Sequence, residues 1–343
     1  MITSEEGEPM PARRLPTLED VAARAGVSRA TASRAVNLDP RVRAQSRIAV
    51  EAAVMELGYR PNRAARSLVN QEVDSIAVVV PEAEDRVFAD PFFASMLAAI
   101  TQRLADSPVQ VLLAMGQPGG RQKIERYLRG GYTDGAIIVS HHRDDDLSDV
   151  IHETKLPAVY VGRPYAGDVG IPWVDVDNRS GAALAAEHLI GQGRRRLATI
   201  AGPQDMAAGS DRLAGWTAAL RRAGLDSGLV EFGDFTSASG AAAMERLLER
   251  APDLDAVFVA SDLMAVAAMH EVQSRGIDVP GQLAVVGFDD THAAQLTRPP
   301  LTTVINPVGE LAGRAVDLLL QLMRGEHVEP MVLQTAMVKR TSG

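Results

Sequence analysis

Residues 17–37, TLEDVAARAGVSRATASRAVN, constrain the fold more tightly than any other stretch of the 343-residue chain. Leu18, Val21, Ala22 and Ala25 recur at spacings of three and four and therefore share one helical face. Thr17 stands where an N-cap belongs, with Asp20 three residues on in a spacing close to that of a capping box. Gly26 supplies a left-handed stop, because glycine takes positive φ without a Cβ clash. Val27 plugs the angle, and Ser28 caps a second helix whose Ala32, Ala35 and Val36 face inward. The outer face of that helix carries Arg29, Ala30, Ser33, Arg34 and Asn37, with Thr31 on its first turn. Two short helices joined through a glycine bend form a helix-turn-helix, which presents its second helix to the major groove of DNA. A third helix is expected from about Gln45 to Leu57, with Ile48, Ala52, Met55 and Leu57 closing a small core. Val42-Arg43 precedes it and offers no side-chain cap.

Charge separates this segment from an ordinary helical hairpin. Residues 11–70 hold eleven Arg against five Asp or Glu, a local net of +6, while the whole chain carries −9. A basic N-terminal segment on an acidic body is the electrostatic footprint of a polyanion-binding unit. The stretch Tyr59–Leu68 adds Arg60, Arg63 and Arg66, and Pro61 is suited to the first turn of a helix too short to be stable alone. Such a segment is expected to fold on DNA.

These stretches resemble the lac repressor (LacI/GalR) family of bacterial transcriptional regulators. The matching residues are Thr17-Leu-x-Asp-Val-Ala-x-x-Ala-Gly-Val-Ser, Thr31-x-Ser33-Arg34-x-x-Asn37 and Leu57-Gly-Tyr-x-Pro61-Asn62-x-x-Ala65-x-x-Leu68. The resemblance implies that Arg29, Ala30 and Arg34 point at base edges, where Arg suits guanine. It implies that Thr17, Ser28, Thr31, Ser33, Asn37, Asn62 and Ala65 belong to the DNA-facing surface. Within that set Ser28, Thr31, Ser33 and Asn37 hold phosphates, which fixes register. Leu68, by the same resemblance, wedges into the minor groove at the operator centre. Ala32 stands where relatives usually carry a larger Val, which loosens the packing slightly.

The remaining chain is long enough for a large α/β body. Apolar content of 46% is that of a globular protein, and the absence of cysteine excludes disulfides, Cys-ligated zinc and thiol catalysis. No apolar run approaches membrane-spanning length and residues 1–16 have no hydrophobic stretch, so a cytoplasmic protein with a disordered arm at 1–16 is expected. Apolar strand-like runs at 75–80, 109–114, 135–139 and 158–161, then at 197–201, 229–232, 256–260 and 283–288, alternate with helical patterns. That alternation predicts parallel sheets covered on both faces, in two similar lobes, with ligands at the carboxyl ends of the strands. The tail 332–339 reads as a final strand.

The expected organisation is thus an all-α helix-turn-helix domain at 17–60, a hinge helix at 61–70, and a two-lobed ligand-binding and dimerisation body at 71–343. The first lobe is expected at about 73–173 and 304–329, the second at about 174–303 and 330–341. The body also resembles the family along its length, through Asp175-Val-Asp177-Asn178-x-x-Gly181-Ala, Arg212-Leu-Ala-Gly215-Trp216, Ala260-Ser-Asp262-x-Met264-Ala and Val286-Gly-Phe-Asp289-Asp290. The resemblance implies the two-lobed fold of periplasmic sugar-binding proteins and a dimer that binds pseudo-palindromic operator DNA.

A sugar is well held by a charged Arg, a carboxylate and an aromatic platform. By the resemblance Arg212 and Asp289 grip the sugar, Phe235 forms an aromatic wall, and Asp90, Phe92 and Phe93 stand where relatives carry Asn-Pro-Phe-Phe. Ser261 replaces a common ligand-binding Asn, and Arg163, after the fourth strand, reaches toward the cleft. Asp262 is expected to cap the following helix, and Arg194–Arg196 to form a solvated edge. The run His141–Asp146 reads as a polar loop rather than a metal site. No Walker sequence, His-Glu-x-x-His or Gly-x-Ser-x-Gly occurs, and no cofactor or catalytic role is expected. The sequence therefore predicts a dimeric repressor controlled by a sugar or sugar derivative. A purine or other small-molecule corepressor, stacked on Phe92 and Phe93, is the alternative effector. A free sugar-binding protein would share the body but not the helix-turn-helix.

Overall fold

The computed structural model describes residues 16–37, 39–59, 73–116, 120–145 and 147–343. It comprises two units, Met1–Val73 and Asp74–Gly343. The expected hinge helix 61–70, with Asn62, Ala65 and Leu68, and the arm at 1–15 lie outside the described residues.

The first unit holds α1 (Leu18–Ala25), α2 (Arg29–Val36) and α3 (Ala44–Leu57). The capping box is present: the Asp20 amide donates to Thr17 Oγ1 (3.3 Å) and the Thr17 amide to Asp20 Oδ2 (2.8 Å). Gly26 takes φ 65, and Ser28 accepts the Thr31 amide at 3.2 Å. No side chain caps α3 at Arg43. The core is small: Val21, Ala22, Ala32, Ala35, Val42, Val50 and Ala53, with Leu57 packed against it. Here the sequence expectation for α3 is corrected. Ile48 (67% exposed), Ala52 and Met55 (79%) face solvent. The helix is apolar almost all round, so its periodicity leaves the buried face undetermined, and contact with α1 and α2 selects the Val50–Ala53–Leu57 face.

The second unit is built on two six-stranded sheets. The first contains β1 (Ser75–Val80), β2 (Gln110–Met115), β3 (Gly135–Val139), β4 (Ala158–Val161), β5 (Trp173–Val176) and β11 (Met331–Leu333), in the order β11-β5-β4-β3-β1-β2. The second contains β6 (Leu197–Ala201), β7 (Val230–Phe232), β8 (Ala256–Val259), β9 (Ala284–Asp289), β10 (Thr302–Ile305) and β12 (Met337–Val338), in the order β12-β10-β9-β8-β6-β7. All pairings are parallel except β10 with β12. Around the first sheet lie α4 (Glu84–Ala89), α5 (Pro91–Arg103), α6 (Arg121–Arg129), α7 (Ser148–Thr154) and, from the end of the chain, α13 (Val308–Met323). The second sheet carries α8 (Asn178–Gly191), α9 (Ala207–Arg222), α10 (Ser237–Arg250), α11 (Asp262–Ser274) and α12 (His292–Leu296). Strands such as β1, β3 and β8 are buried along their whole length, as strands covered on both faces must be.

The lobes divide differently from the expected boundaries. Trp173–Val176 pairs with β4 and Met331–Leu333 with β5, so both belong to the first sheet. The tail is not one strand, since Met337–Val338 pairs with β10 in the second sheet. The chain thus crosses between lobes three times, at Asp177, at Asn306–Pro307 and at residues 334–336. The crossings are tied together: the Asp177 amide donates to Leu333 O (2.9 Å) and the Ile305 amide to Ala336 O (2.8 Å). Arg194 also departs from expectation. Its guanidinium donates to the carbonyls of Asp255 (3.1 Å) and Pro280, while Asp255 accepts the Arg195 and Arg196 amides, so part of this run is a brace and not a solvated edge.

Helices α8 and α9 pack closely because Gly215 has no side chain. A Cβ there would lie 2.0 Å from the Arg179 carbonyl oxygen, on backbone that cannot swing aside. Gly215→Ala is expected to destabilise the second unit by about 1–3 kcal/mol. Urea denaturation checks this through a lowered midpoint at unchanged slope.

Candidate functional site

Helix α9 follows the carboxyl end of β6, which delivers Arg212 into the space between the lobes. Arg212 is 5% exposed. Its Nε donates to Asn178 Oδ1 (2.8 Å), its Nη1 donates to the Ala260 carbonyl, and its guanidinium carbon sits 3.6 Å from the centre of the Phe288 ring. Asp289 Oδ1 stands 3.9 Å from Nη1. Burial opposes the Arg212 charge, and Asp289, Asp175, Asp262 and Asp90 oppose that effect.

The carboxylates around this cation are held by equally local means. Asp289 ends β9 at φ 123, a region L-residues rarely adopt, and accepts Asn306 Nδ2 at 3.1 Å. Burial raises its pKa, with the charges of Asp262 and Asp90 adding to the rise and Arg212 resisting it. Asp175 accepts the amides of Arg163 (3.1 Å) and Val176 (2.8 Å) and the Asn178 side-chain amide (3.1 Å), while burial pushes its pKa up. Asp90 caps α5 by accepting the Phe92 amide (3.0 Å), and burial raises its pKa too. Phe235 lies over Gly202, where a Cβ would meet its ring at 2.4 Å.

Arg212, Asp289, Asp90, Phe92, Phe93, Phe235, Ser261 and Arg163 all line one cleft between the lobes. A cleft between two lobes with convergent polar groups suits a small-molecule ligand. Three assignments change in detail. Ser261, not Asp262, caps α11, accepting the Met264 amide at 3.3 Å. Asp262 is fully buried and accepts the hydroxyls of Thr303 (2.6 Å) and Thr291 (3.1 Å). Phe93 is 2% exposed and belongs to the core of the first lobe, meeting Phe92 edge-on at 5.3 Å. The sequence reading missed Arg86, Ser140, His141, Asp175, Asn178 and Asn306 as lining residues. Asp175 and Asn178 stood in a motif already recognised; the others have no local sequence signal.

Further contacts bridge the lobes beside the cleft. Arg163 Nη2 meets Asp211 Oδ2 at 2.7 Å, and the Arg143 amide donates to Asp205 O at 2.9 Å. His142 joins Glu82 (3.2 Å) on the first lobe to Asp205 (2.8 Å) on the second. The Glu82 hydrogen bond is the largest cause that raises the His142 pKa to about 9, against the cost of burial, with Asp205 adding to it. So the expected polar loop is in part a bridge, and Asp205 and Asp211 make contacts across the cleft.

In the first unit the outer face of α2 is open. Ser28, Arg29, Ala30, Arg34 and Asn37 are exposed, while Thr17, Thr31 and Ser33 are half-buried. Thr17 and Ser28 are already engaged as caps. Arg29 is paired with Glu19 at 2.5 Å across the helix-turn-helix.

Comparison with known proteins agrees with both halves of this description. Residues 17–62 match the family described as bacterial regulatory proteins, lacI family, and residues 186–342 match the periplasmic binding protein-like domain. The chain is 46% identical over 345 residues to the HTH-type transcriptional regulator CelR of Thermobifida fusca, covering 97% of this chain and 100% of that protein. Among solved structures it is similar to a CelR–cellobiose complex, with TM-score 0.77 and 43% identity over 96% of this chain and 100% of the other. It is also similar to the lac repressor dimer bound to operator and the anti-inducer ONPF, with TM-score 0.83 and 30% identity, covering 96% and 99% of the two chains.

The His142 bridge has a definite pH signature. A group whose pKa rises on folding from 6.5 to about 9 stabilises the folded state fully below 6.5 and loses that contribution as pH climbs through 9. His142→Gln is expected to lower the thermal midpoint by roughly 2–4 °C near pH 6 and hardly at all near pH 10. Equal deficits at both pH values, read by differential scanning fluorimetry, would remove the charged bridge.

Proposed function

We propose that this chain, which belongs to the lacI family of bacterial regulatory proteins and is therefore a DNA-binding transcriptional regulator, is a repressor whose hold on operator DNA is set by a neutral sugar, of the β-linked glucose disaccharide class, bound between its lobes. The observation that carries the effector reading is the buried Arg212, ringed by Asp289, Asn178 and Asp175 at the floor of a cleft that also presents Phe235. Carboxylates and a guanidinium accept and donate to vicinal hydroxyls, and an aromatic ring covers an apolar sugar face. The solved relative bound to cellobiose supports the same ligand class.

On the DNA side, Arg29 and Arg34 read base edges, and Ala30 offers a methyl contact. Ser28, Thr31, Ser33 and Asn37 hold the backbone, Thr17, Asn62 and Ala65 complete the DNA-contacting set, and Leu68 is a minor-groove wedge. Arg29 exchanges its Glu19 partner for DNA. The working unit is a homodimer on a pseudo-palindromic operator, in line with the related lac repressor dimer. Exposed Leu112 (41%) and Leu113 (37%) on the edge strand β2 favour such a pairing. The protein carries no catalytic role and works in the cytoplasm; no described helix is long and apolar enough to cross a membrane. Control is a coupling free energy: the sugar favours one arrangement of the lobes, and segment 61–70 passes that preference to the DNA-binding unit.

Arg212→Ala is expected to abolish the response of operator binding to cellobiose while leaving ligand-free operator affinity within about threefold, a difference under 1 kcal/mol. Fluorescence anisotropy on labelled operator, with and without cellobiose, makes the comparison. A variant that responds at unchanged sugar concentration places the effector elsewhere.

A further inference from the structure

Arg86 lies on α4, the short helix between β1 and Asp90, and has no part in the family motifs read above. Its side chain is only 13% exposed, unusual for an arginine. Nη1 is held 2.6 Å from Glu82 Oε1. The same oxygen accepts Ser140 Oγ at 2.7 Å and contacts His142 Nε2 at 3.2 Å, so it is crowded with partners and fixes the guanidinium in place.

Across the cleft, the Phe235 ring of the second lobe has the Arg86 guanidinium carbon 5.6 Å from its centre and that of Arg212 at 5.8 Å. The ring thus has one guanidinium from each lobe within cation–π range. Arg86 lines the cleft, and its Nε is buried without a hydrogen-bond partner in the protein. That atom is sealed off from the cleft, so an oxygen arriving there meets the outer end of the guanidinium, beside the Nη1 contact with Glu82.

Charge matching narrows the class of that partner. Each guanidinium at the cleft already has a carboxylate: Arg86 has Glu82, Arg163 has Asp211, and Arg212 has Asp289. An anionic ligand meets no uncompensated cation there, whereas a hydroxyl needs only a free N–H.

We propose that Arg86 is a specificity-determining effector contact: a terminal N–H of its guanidinium donates to an oxygen of a neutral saccharide while the group stays within cation–π range of Phe235. The sugar is thereby gripped from both lobes at once, by Arg86 from the first and Arg212 from the second. This inference rests on the sugar reading of the cleft.

Isothermal titration of the full-length protein with cellobiose tests it, using wild type, Arg86→Ala and Arg86→Lys, each checked for native circular dichroism. Both variants are expected to bind at least tenfold more weakly, because lysine keeps the charge but lacks the planar fork of donors. Monodeoxy cellobioses identify the contacted oxygen: one analogue loses affinity for wild type and loses none further in Arg86→Lys. Wild-type affinity in either variant overturns the contact, and so does a deoxy series whose losses are the same in wild type and Arg86→Lys. A wild-type protein that binds no cellobiose overturns the sugar reading itself, an outcome visible before any variant is made.

Discussion

The second unit depends on one buried cation. A guanidinium taken out of water is tolerated only when hydrogen bonds and opposite charge replace its hydration. Arg212 obtains these from Asn178, the Ala260 carbonyl, the Phe288 ring and Asp289. In return it resists the rise that burial forces on the pKa values of Asp289, Asp175 and Asp90. Cation and carboxylates stabilise one another's charged forms in a place where neither would be stable alone. The result is a set of oriented donors and acceptors whose remaining capacity faces the cleft.

That same cation links the two lobes. Asn178 opens α8 just after the first crossing, and Asp175, which accepts from Asn178, lies on β5 of the first sheet. Asn306, which donates to Asp289, stands at the second crossing. A ligand contacting Arg212 and Asp289 therefore acts on the connections about which the lobes turn. The bridging pairs beside the cleft are partly solvated: Arg163 and Asp211 are 35% and 19% exposed, His142 and Asp205 22% and 50%. Pairs of this kind contribute little each. Lobe arrangements separated by such small terms are within reach of a sugar's differential binding energy.

How much of this was legible in the sequence follows from the range of each interaction. The helix-turn-helix rests on contacts three or four residues apart, Thr17 with Asp20 and Ser28 with Thr31, and these are written in neighbouring letters. The face of α3 was not, because a helix apolar on every side takes its orientation from its neighbours. Strands β5 and β10 are four residues long and carry Asp175, Thr302 and Thr303 among their apolar positions, too brief a pattern to register. Seven of the eight cleft residues named from the sequence came from the family resemblance, and Arg163 from its place after the fourth strand. Glu82, His142 and Asp205 came from neither, since they meet only after chain segments some sixty residues apart have folded together, and Arg86, though only four residues from its partner Glu82, lines the cleft through that same folding.

The central claim is that occupancy of the Arg212 cleft and affinity for operator DNA are coupled. Anisotropy of a labelled operator, titrated with the protein at zero and at saturating cellobiose, measures that coupling directly. The account predicts a shift in dissociation constant of about 5- to 150-fold, the span of a typical coupling of about 1–3 kcal/mol. Coincident titration curves, in a protein shown by calorimetry to have bound the sugar, would contradict it.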